Sequence, residues 1–306
     1  MNSWMKRGLG LMLVLGVTAL AACGGGGGGN GGGLSYTGSQ SPASVSAANA
    51  EAISLGAYEG AELGASTDFV SDIQPAAATL QVAVDLIEGG AGQGRLFKPG
   101  SAQIGAMQSR MMSGPCGGQA TLTGDAGQDG TFSGSLSFQD FCSENMMLRG
   151  SMSFSGIIDS GTQAMEFSMN FDSLAMSTEG RQVVLDGSTL WSIAGSGDAS
   201  VTMNMMLFDE LEQKTCKTED MVVTLSGGAG YVDSTLSGRY YDPDHGYVDI
   251  ATELAVRTEL LAAAPSQGIL RFTGAGGSAA RLSFHADGSY GVEVDPAGTG
   301  NFVPLP

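Results

Sequence analysis

Basic residues are scarce in this chain: 13 Lys and Arg stand against 31 Asp and Glu, a net charge of −18. Nucleic acid is excluded as a partner class, because phosphates are held by basic patches and none is visible. Histidine is almost absent, with only His245 and His285. They form no metal-spaced pair, and there is no C-x-x-C, no G-x-S-x-G elbow and no Walker loop. A Ser–His–Asp triad can be drawn on any Ser-rich chain with two histidines, so the drawing carries little weight. The chain is expected not to be an enzyme and to need no cofactor. A hydrolase with His245 or His285 as base stays as an alternative. Aromatic residues make up 7% and charged residues 14%, while glycine reaches 49 residues. That balance suits a twisted, turn-rich β protein in an extracytoplasmic space.

The apolar run Leu9–Ala19 falls short of the ~20 residues that a membrane-spanning helix needs. It follows Lys6-Arg7 and precedes Leu20-Ala21-Ala22-Cys23. A basic start, a short apolar stretch and small residues at a cut site make a secretory signal over 1–22. A cysteine directly after Leu-Ala-Ala resembles a bacterial lipoprotein signal. The resemblance implies cleavage before Cys23, acyl chains on Cys23 and anchoring in a membrane through them. Gly24 stands where an Asp favours retention in the inner membrane, so the resemblance points to the outer membrane, on a face it does not specify. Gly24–Gly33 is glycine apart from Asn30. With the polar residues up to 41 it reads as a flexible tether spanning on the order of 20–25 Å.

Four cysteines remain for an oxidising compartment. With Cys23 assigned to lipid, three are left, and three cannot all pair within one chain. Cys116 with Cys142 is the expected disulfide, because the two flank one hairpin. Cys216 is then expected as a free or buried thiol.

Residues 42–113 read as a helical, low-complexity segment. A helix is expected from about 44 to 55, and a second from Pro75 to about 88, ended by Gly89-Gly90. From 114 to 306 the apolar period changes to two. Met165-Glu-Phe-Ser-Met-Asn-Phe-Asp alternates without a break. Turn signals such as Gly124-Asp-Ala-Gly-Gln-Asp-Gly, Asp159-Ser-Gly and Gly195-Ser-Gly-Asp separate such stretches. Leu148-Arg-Gly150-Ser151 and Phe171-Asp172-Ser-Leu174 recur 37 residues later, at Leu185-Asp-Gly187-Ser188 and Phe208-Asp209-Glu-Leu211. A second pair, Thr121-Leu-Thr-Gly124 with Thr131-Phe-Ser-Gly134, matches Thr224-Leu-Ser-Gly227 with Thr235-Leu-Ser-Gly238. The expected fold is mainly β: a long antiparallel meander, as a curved sheet or half-barrel, with N-terminal helices packed on it. A closed membrane barrel is the structural competitor, and it conflicts with a lipid anchor on a glycine tether.

Three places invite a functional reading. Arg239-Tyr-Tyr-Asp242-Pro-Asp244-His245-Gly-Tyr-Val-Asp249 gathers acids, aromatics and a histidine. Asp242, Asp244 and Asp249, with His245, have the ligand chemistry of a cation site such as Ca²⁺. The same residues also make a hairpin turn with tyrosines packed across strands. The tail from Val294 hints at a calcium loop, but Ala297 and Thr299 occupy positions that need carboxylates. Finally, sixteen methionines concentrate in the strands. Met165, Phe167, Met169, Phe171, Met203 and Met205 on inner faces would line a pocket for an apolar ligand. Methionines also bind Cu(I), or simply fill a core poor in aromatics.

Tyr240-Tyr-Asp-Pro-Asp-His-Gly-Tyr-Val, Gly274-Ala-Gly-Gly-Ser-Ala-Ala-Arg-Leu and the acidic tail resemble a group of uncharacterised outer-membrane lipoproteins of Gram-negative bacteria, over roughly residues 115–301. The resemblance implies no activity. The expectation is a lipid-anchored envelope module that binds or supports an envelope protein. A carrier of lipid or another hydrophobic ligand is the alternative.

Overall fold

Strands of alternating apolar and hydroxyl residues, stopped at short intervals by Asp- and Gly-containing turns, have to pair with their sequence neighbours. The computed structural model describes residues 33–65 and 108–305, apart from 128, 144–145, 160, 163, 179–180, 229, 260–261 and 263. The signal segment, Cys23, the run 24–32 and the expected helix at 75–88 lie outside the described residues.

One helix and fourteen strands are described: α1 (Ala50–Ala65), β1 (Gln108–Ser113), β2 (Gly117–Ala126), β3 (Thr131–Ser143), β4 (Met146–Ile158), β5 (Met165–Thr178), β6 (Arg181–Ile193), β7 (Ala199–Asp209), β8 (Lys214–Gly227), β9 (Tyr231–Asp242), β10 (Gly246–Glu259), β11 (Gln267–Thr273), β12 (Ala279–Phe284), β13 (Tyr290–Asp295) and β14 (Val303–Pro304). All fourteen form one antiparallel sheet in strict sequence order, open and not closed into a barrel. The meander begins at Gln108, earlier than the expected 114.

Aspartates shape the turns. Asp129 Oδ1 accepts the Thr131 N–H at 3.1 Å after β2, and Asp159 Oδ1 accepts the Gly161 N–H at 2.8 Å after β4. Asp209 holds Leu211 N–H at 2.9 Å after β7, and Asp287 holds Ser289 N–H at 3.0 Å after β12. Each carboxylate mimics a backbone acceptor two residues upstream. These four aspartates thus have a local structural use.

The helix starts later than expected. Asn49 Oδ1 accepts the Ser46 N–H at 2.8 Å, and Ala50 N–H bonds Ser46 O at 2.9 Å, so the chain turns before it winds. It then continues through Gly56 and Gly60, where good helix formers surround the glycines. At Gly60 α1 passes the buried Tyr240 ring, with room for a Cβ, which would make ordinary contact with Cε2 at 3.5 Å. Helix α1 packs on β7, β8, β9, β12 and β13. Ile53, Ala57 and Ala61 are fully buried in the same apolar cluster as Phe272, Leu270 and Leu282.

Residues 34–41, read from sequence as tether, are pinned instead, and 42–45 with them. Leu34 N–H bonds Asp186 Oδ2 at 2.9 Å, and Tyr36 O–H bonds Asp242 O at 3.0 Å. Ala43 N–H bonds Tyr247 O at 2.8 Å, and Ala43 O accepts Ala275 N–H at 2.7 Å. The segment leads the chain past the β9–β10 turn and delivers α1 to the inner face. Tyr36 and Pro42 were the available signals, hidden by their polar neighbours.

Only half of the 37-residue repeat is structural. Leu148 and Leu185 are both buried, and Gly150 and Gly187 both adopt positive φ (112° and 125°) inside their strands. Phe171, however, lies mid-strand opposite Met152 of the preceding strand, whereas Phe208 lies near the end of β7 opposite Val184 of its preceding strand. The Thr-Leu pair differs likewise: Thr224 faces Thr235 directly, but Thr121 faces Ser137.

Cys116 and Cys142 are disulfide-bonded with Cα atoms 5.1 Å apart. Replacing both by serine is expected to cost about 3 kcal/mol in urea unfolding, from the closed loop's lost constraint on the unfolded chain. Cys216 is not the expected free thiol. It is buried, and the Tyr240 O–H donates to its sulfur at 3.1 Å.

Candidate functional site

The acidic segment around 242 is built by the β9–β10 hairpin. Asp242 is fully buried. Its Oδ1 accepts the N–H groups of Asp244 and His245, both at 2.9 Å, while Oδ2 has no hydrogen-bond partner. Burial pushes this carboxyl above its usual range, against the pull of the two N–H groups. Asp244 is drawn outward to Lys214 Nζ at 2.7 Å. Asp249 takes Arg239 in a fork, Nε at 2.7 Å and Nη2 at 3.1 Å. His245 is exposed. The four residues expected to share a cation are therefore divided among a turn, two ion pairs and solvent. Among the described residues no group of three or more His, Cys, Asp or Glu is placed to hold a metal ion.

Around the turn, the aromatics make a packed layer. Tyr36 meets Tyr241 edge-on at 5.5 Å, and Tyr241 meets Tyr247 at 5.4 Å. Lys217 sits 4.6 Å over the Tyr241 ring and Arg239 3.9 Å over Tyr247. Tyr241 O–H donates to Glu219 Oε2 at 2.5 Å, which, with Lys217, holds that carboxylate below its ordinary range. Among the described residues, neither imidazole hydrogen-bonds a serine or a carboxylate, so no triad is assembled. At the tail, Asp295 is spent on its own turn, accepting Gly300 N–H at 2.5 Å.

Two tests follow from Asp242. Asp242→Ala removes the acceptor of two turn N–H groups and is expected to cost about 1–3 kcal/mol. Asp242→Asn keeps an acceptor and removes the buried charge. The folded carboxyl titrates above the unfolded one, so its penalty is absent at low pH and grows as pH rises through the folded value. Asp242→Asn should then match the parent chain in acid and exceed it in urea midpoint at neutral pH. The exposed turn carboxylates have the opposite sign. Hydrogen bonds from Thr131, Thr162 and Ser289 hold Asp129, Asp159 and Asp287 below the usual range. Their stabilisation is present above the unfolded carboxylate range and is lost as pH falls through the lowered values. A triple Asn variant at those sites should flatten the acid limb of the stability curve.

The methionine and phenylalanine residues do share one inner face. Phe167 lies between Gly156 and Trp191 across the strands, Met169 between Phe154 and Thr189, and Met203 between Thr189 and Met221. Phe171 and Met205 both face Gly187, and Met165 faces Ile193. Phe167 stacks on Trp191 with ring centroids 5.8 Å apart. Phe167, Met169, Met203 and Met205 are buried members of the apolar core, and Met165 and Phe171 are half-buried against it. The site that they make is a packed protein interior.

The opposite face of the same strands is a ladder of short polar side chains. Thr123, Ser135, Ser153, Asn170, Ser188 and Asn204 form one cross-strand row over β2 to β7. Ser155 and Ser168 hydroxyls meet at 3.1 Å, and Thr224 and Thr235 at 2.6 Å. Alternation along each strand places these hydroxyls on the face away from the core. Their alignment depends on strand register, which a linear pattern does not carry.

Among the described residues no helix is long and apolar enough to cross a membrane. Neither a family model, nor a curated protein, nor a solved structure matches this chain.

Proposed function

We propose that the chain is an outer-membrane lipoprotein anchored through Cys23, and that its β domain is a non-enzymatic binding or structural module of the envelope. The Lys6-Arg7, Leu9–Ala19 and Leu20-Ala21-Ala22-Cys23 pattern supports the anchor. The observation that carries the module reading is the division of the strands. Their Met and Phe side chains are used up in the core, and their other face offers a hydroxyl and amide ladder to a partner. An apolar carrier would need that core to open.

Acylation occupies the Cys23 sulfur, so it excludes Cys23 from any disulfide. The test is a proteolytic digest of the membrane fraction from an expressing Gram-negative cell, without reduction. A diacylglyceryl-modified, N-acylated Cys23 peptide is the expected result. An unmodified Cys23, or a Cys23 peptide linked to Cys216, would overturn the anchor. Native mass spectrometry of the same protein, followed by solvent extraction, is expected to find no stoichiometric apolar ligand beyond the attached acyl chains. A bound lipid would favour the carrier.

A further inference from the structure

In an acid-rich molecule, cations are expected to find carboxylates. Arg149, Lys214, Lys217, Arg239, Arg257 and Arg281 each lie between 2.5 and 3.2 Å from one. Arg271 is different. Its Nη1 is 3.9 Å from Glu253 Oε1, and that carboxylate is already held by Arg281 Nε at 2.7 Å and Nη2 at 3.1 Å. The Arg271 Nε is buried and has no hydrogen-bond partner, and the same is true of the Arg281 Nε, which Glu253 meets as an ion pair only. Its side chain is still 37% exposed. The guanidinium is thus buried at its base, and its outer edge has one carboxylate contact, at 3.9 Å.

Three neighbours shape the place. Arg271 and Arg281 face each other directly across β11 and β12, with Glu293 next in the row on β13. Phe302, from the chain between β13 and β14, lies over them. Its ring centroid is 3.9 Å from the Arg281 guanidinium and 5.7 Å from that of Arg271. Two cations, two carboxylates and one ring face meet on the solvent side of the sheet.

The geometry points to a carboxylate-binding site, with the Arg271 guanidinium as the fork, Arg281 as the second positive charge and Phe302 as an apolar wall. A planar fork matches a carboxylate in a way that no ammonium does. Glu253 and Glu293 balance the two arginines, so the site has little net charge, and the planar Arg271 fork rather than bulk attraction favours a carboxylate over a phosphate dianion. The molecule's larger negative charge acts weakly here, because charges beyond about 8 Å are screened at physiological salt. The ligand class is a small molecule that presents one carboxylate beside an apolar or ring face. An acidic sugar and a peptide terminus share that chemistry.

The test uses the full chain with ¹⁵N-labelled arginine side chains, titrated with sodium acetate at constant ionic strength set by chloride. Saturable movement of the Arg271 and Arg281 Nε–H signals is expected, with the other arginines still. Inorganic phosphate at the same concentration should move them at least tenfold less. In Arg271→Gln the Arg281 signal should stop responding. In Arg271→Lys, which keeps the charge and loses the fork, the response should weaken at least tenfold at unchanged melting temperature. No saturable response to acetate, equal response to phosphate, or an Arg281 response that survives in Arg271→Lys would each overturn the proposal. Glucuronate and an N-acetylated dipeptide, titrated next, identify the source by which binds tighter than acetate; if neither does, the ligand class is wrong.

Discussion

Met169→Asp is expected to unfold the domain, and Asn170→Asp one residue away is expected to leave it folded. Met169 is 5% exposed and sits across from Phe154 and Thr189 in the inner face. An aspartate there loses the apolar transfer energy of the methionine and buries a charge with no cation beside it. The combined cost exceeds about 4 kcal/mol, which approaches the whole stability of an ordinary domain. Asn170 lies on the opposite face among the hydroxyls of Ser153 and Ser188, where a carboxylate stays hydrated. Its substitution should stay within about 1 kcal/mol. Urea unfolding followed by circular dichroism separates the two. If Met169→Asp unfolds at the parent urea midpoint, the inner face is solvent-open and the module reading yields to a carrier.

Gly238→Ala should cost about 3 kcal/mol or more, while Gly227→Ala should be neutral or slightly stabilising. Gly238 holds φ at +133° where β9 passes the bulge in β8 between Glu219 and Val222. A Cβ there would lie 2.5 Å from Met221 Cα and 2.6 Å from Asp220 O, both backbone atoms that cannot step aside. Asp220 itself is at φ +46°, so the two strands carry matched irregularities. An alanine forces strain and a clash together. Gly227 is at the end of β8 with no atom within 4 Å of a built Cβ and an ordinary φ. There, alanine chiefly removes freedom from the unfolded chain, which stabilises by about 0.4–1 kcal/mol. A small loss at Gly238 in thermal unfolding would mean that the bulge is adaptable and that β8 and β9 slide in register.

Much of the architecture is legible in the sequence because its causes are local. The alternation in Met165–Phe171 decides which side chains share a face. Asp-x-Gly and Asp-x-Thr turns decide where strands end, and short turns force neighbours to pair in order. The Cys116–Cys142 bridge follows from the same reasoning, since consecutive antiparallel strands bring their flanks together. The Ser46–Asn49 turn that delays α1 was harder to see, because Ser-Ala-Ala-Asn reads equally well as helix or cap. The pinned segment 34–45 was missed for a related reason. Its partners, Asp186, Asp242, Tyr247 and Ala275, are more than 150 residues away along the chain, and nothing in the segment itself names them.

By itself the sequence determined a β meander with one apolar and one polar face, without metal-spaced motifs, and it supports the proposed lipoprotein signal over residues 1–23. These depend on residue type and short-range order alone. Only the tertiary structure decided that Met169 and Met203 are core, and that Asp242, Asp244 and Asp249 part company. It also decided that Arg271 is left without a close carboxylate. Those outcomes turn on which side chains strand register and strand curvature place within a few ångströms of each other. At that range burial and charge pairing choose between a ligand site and a structural one.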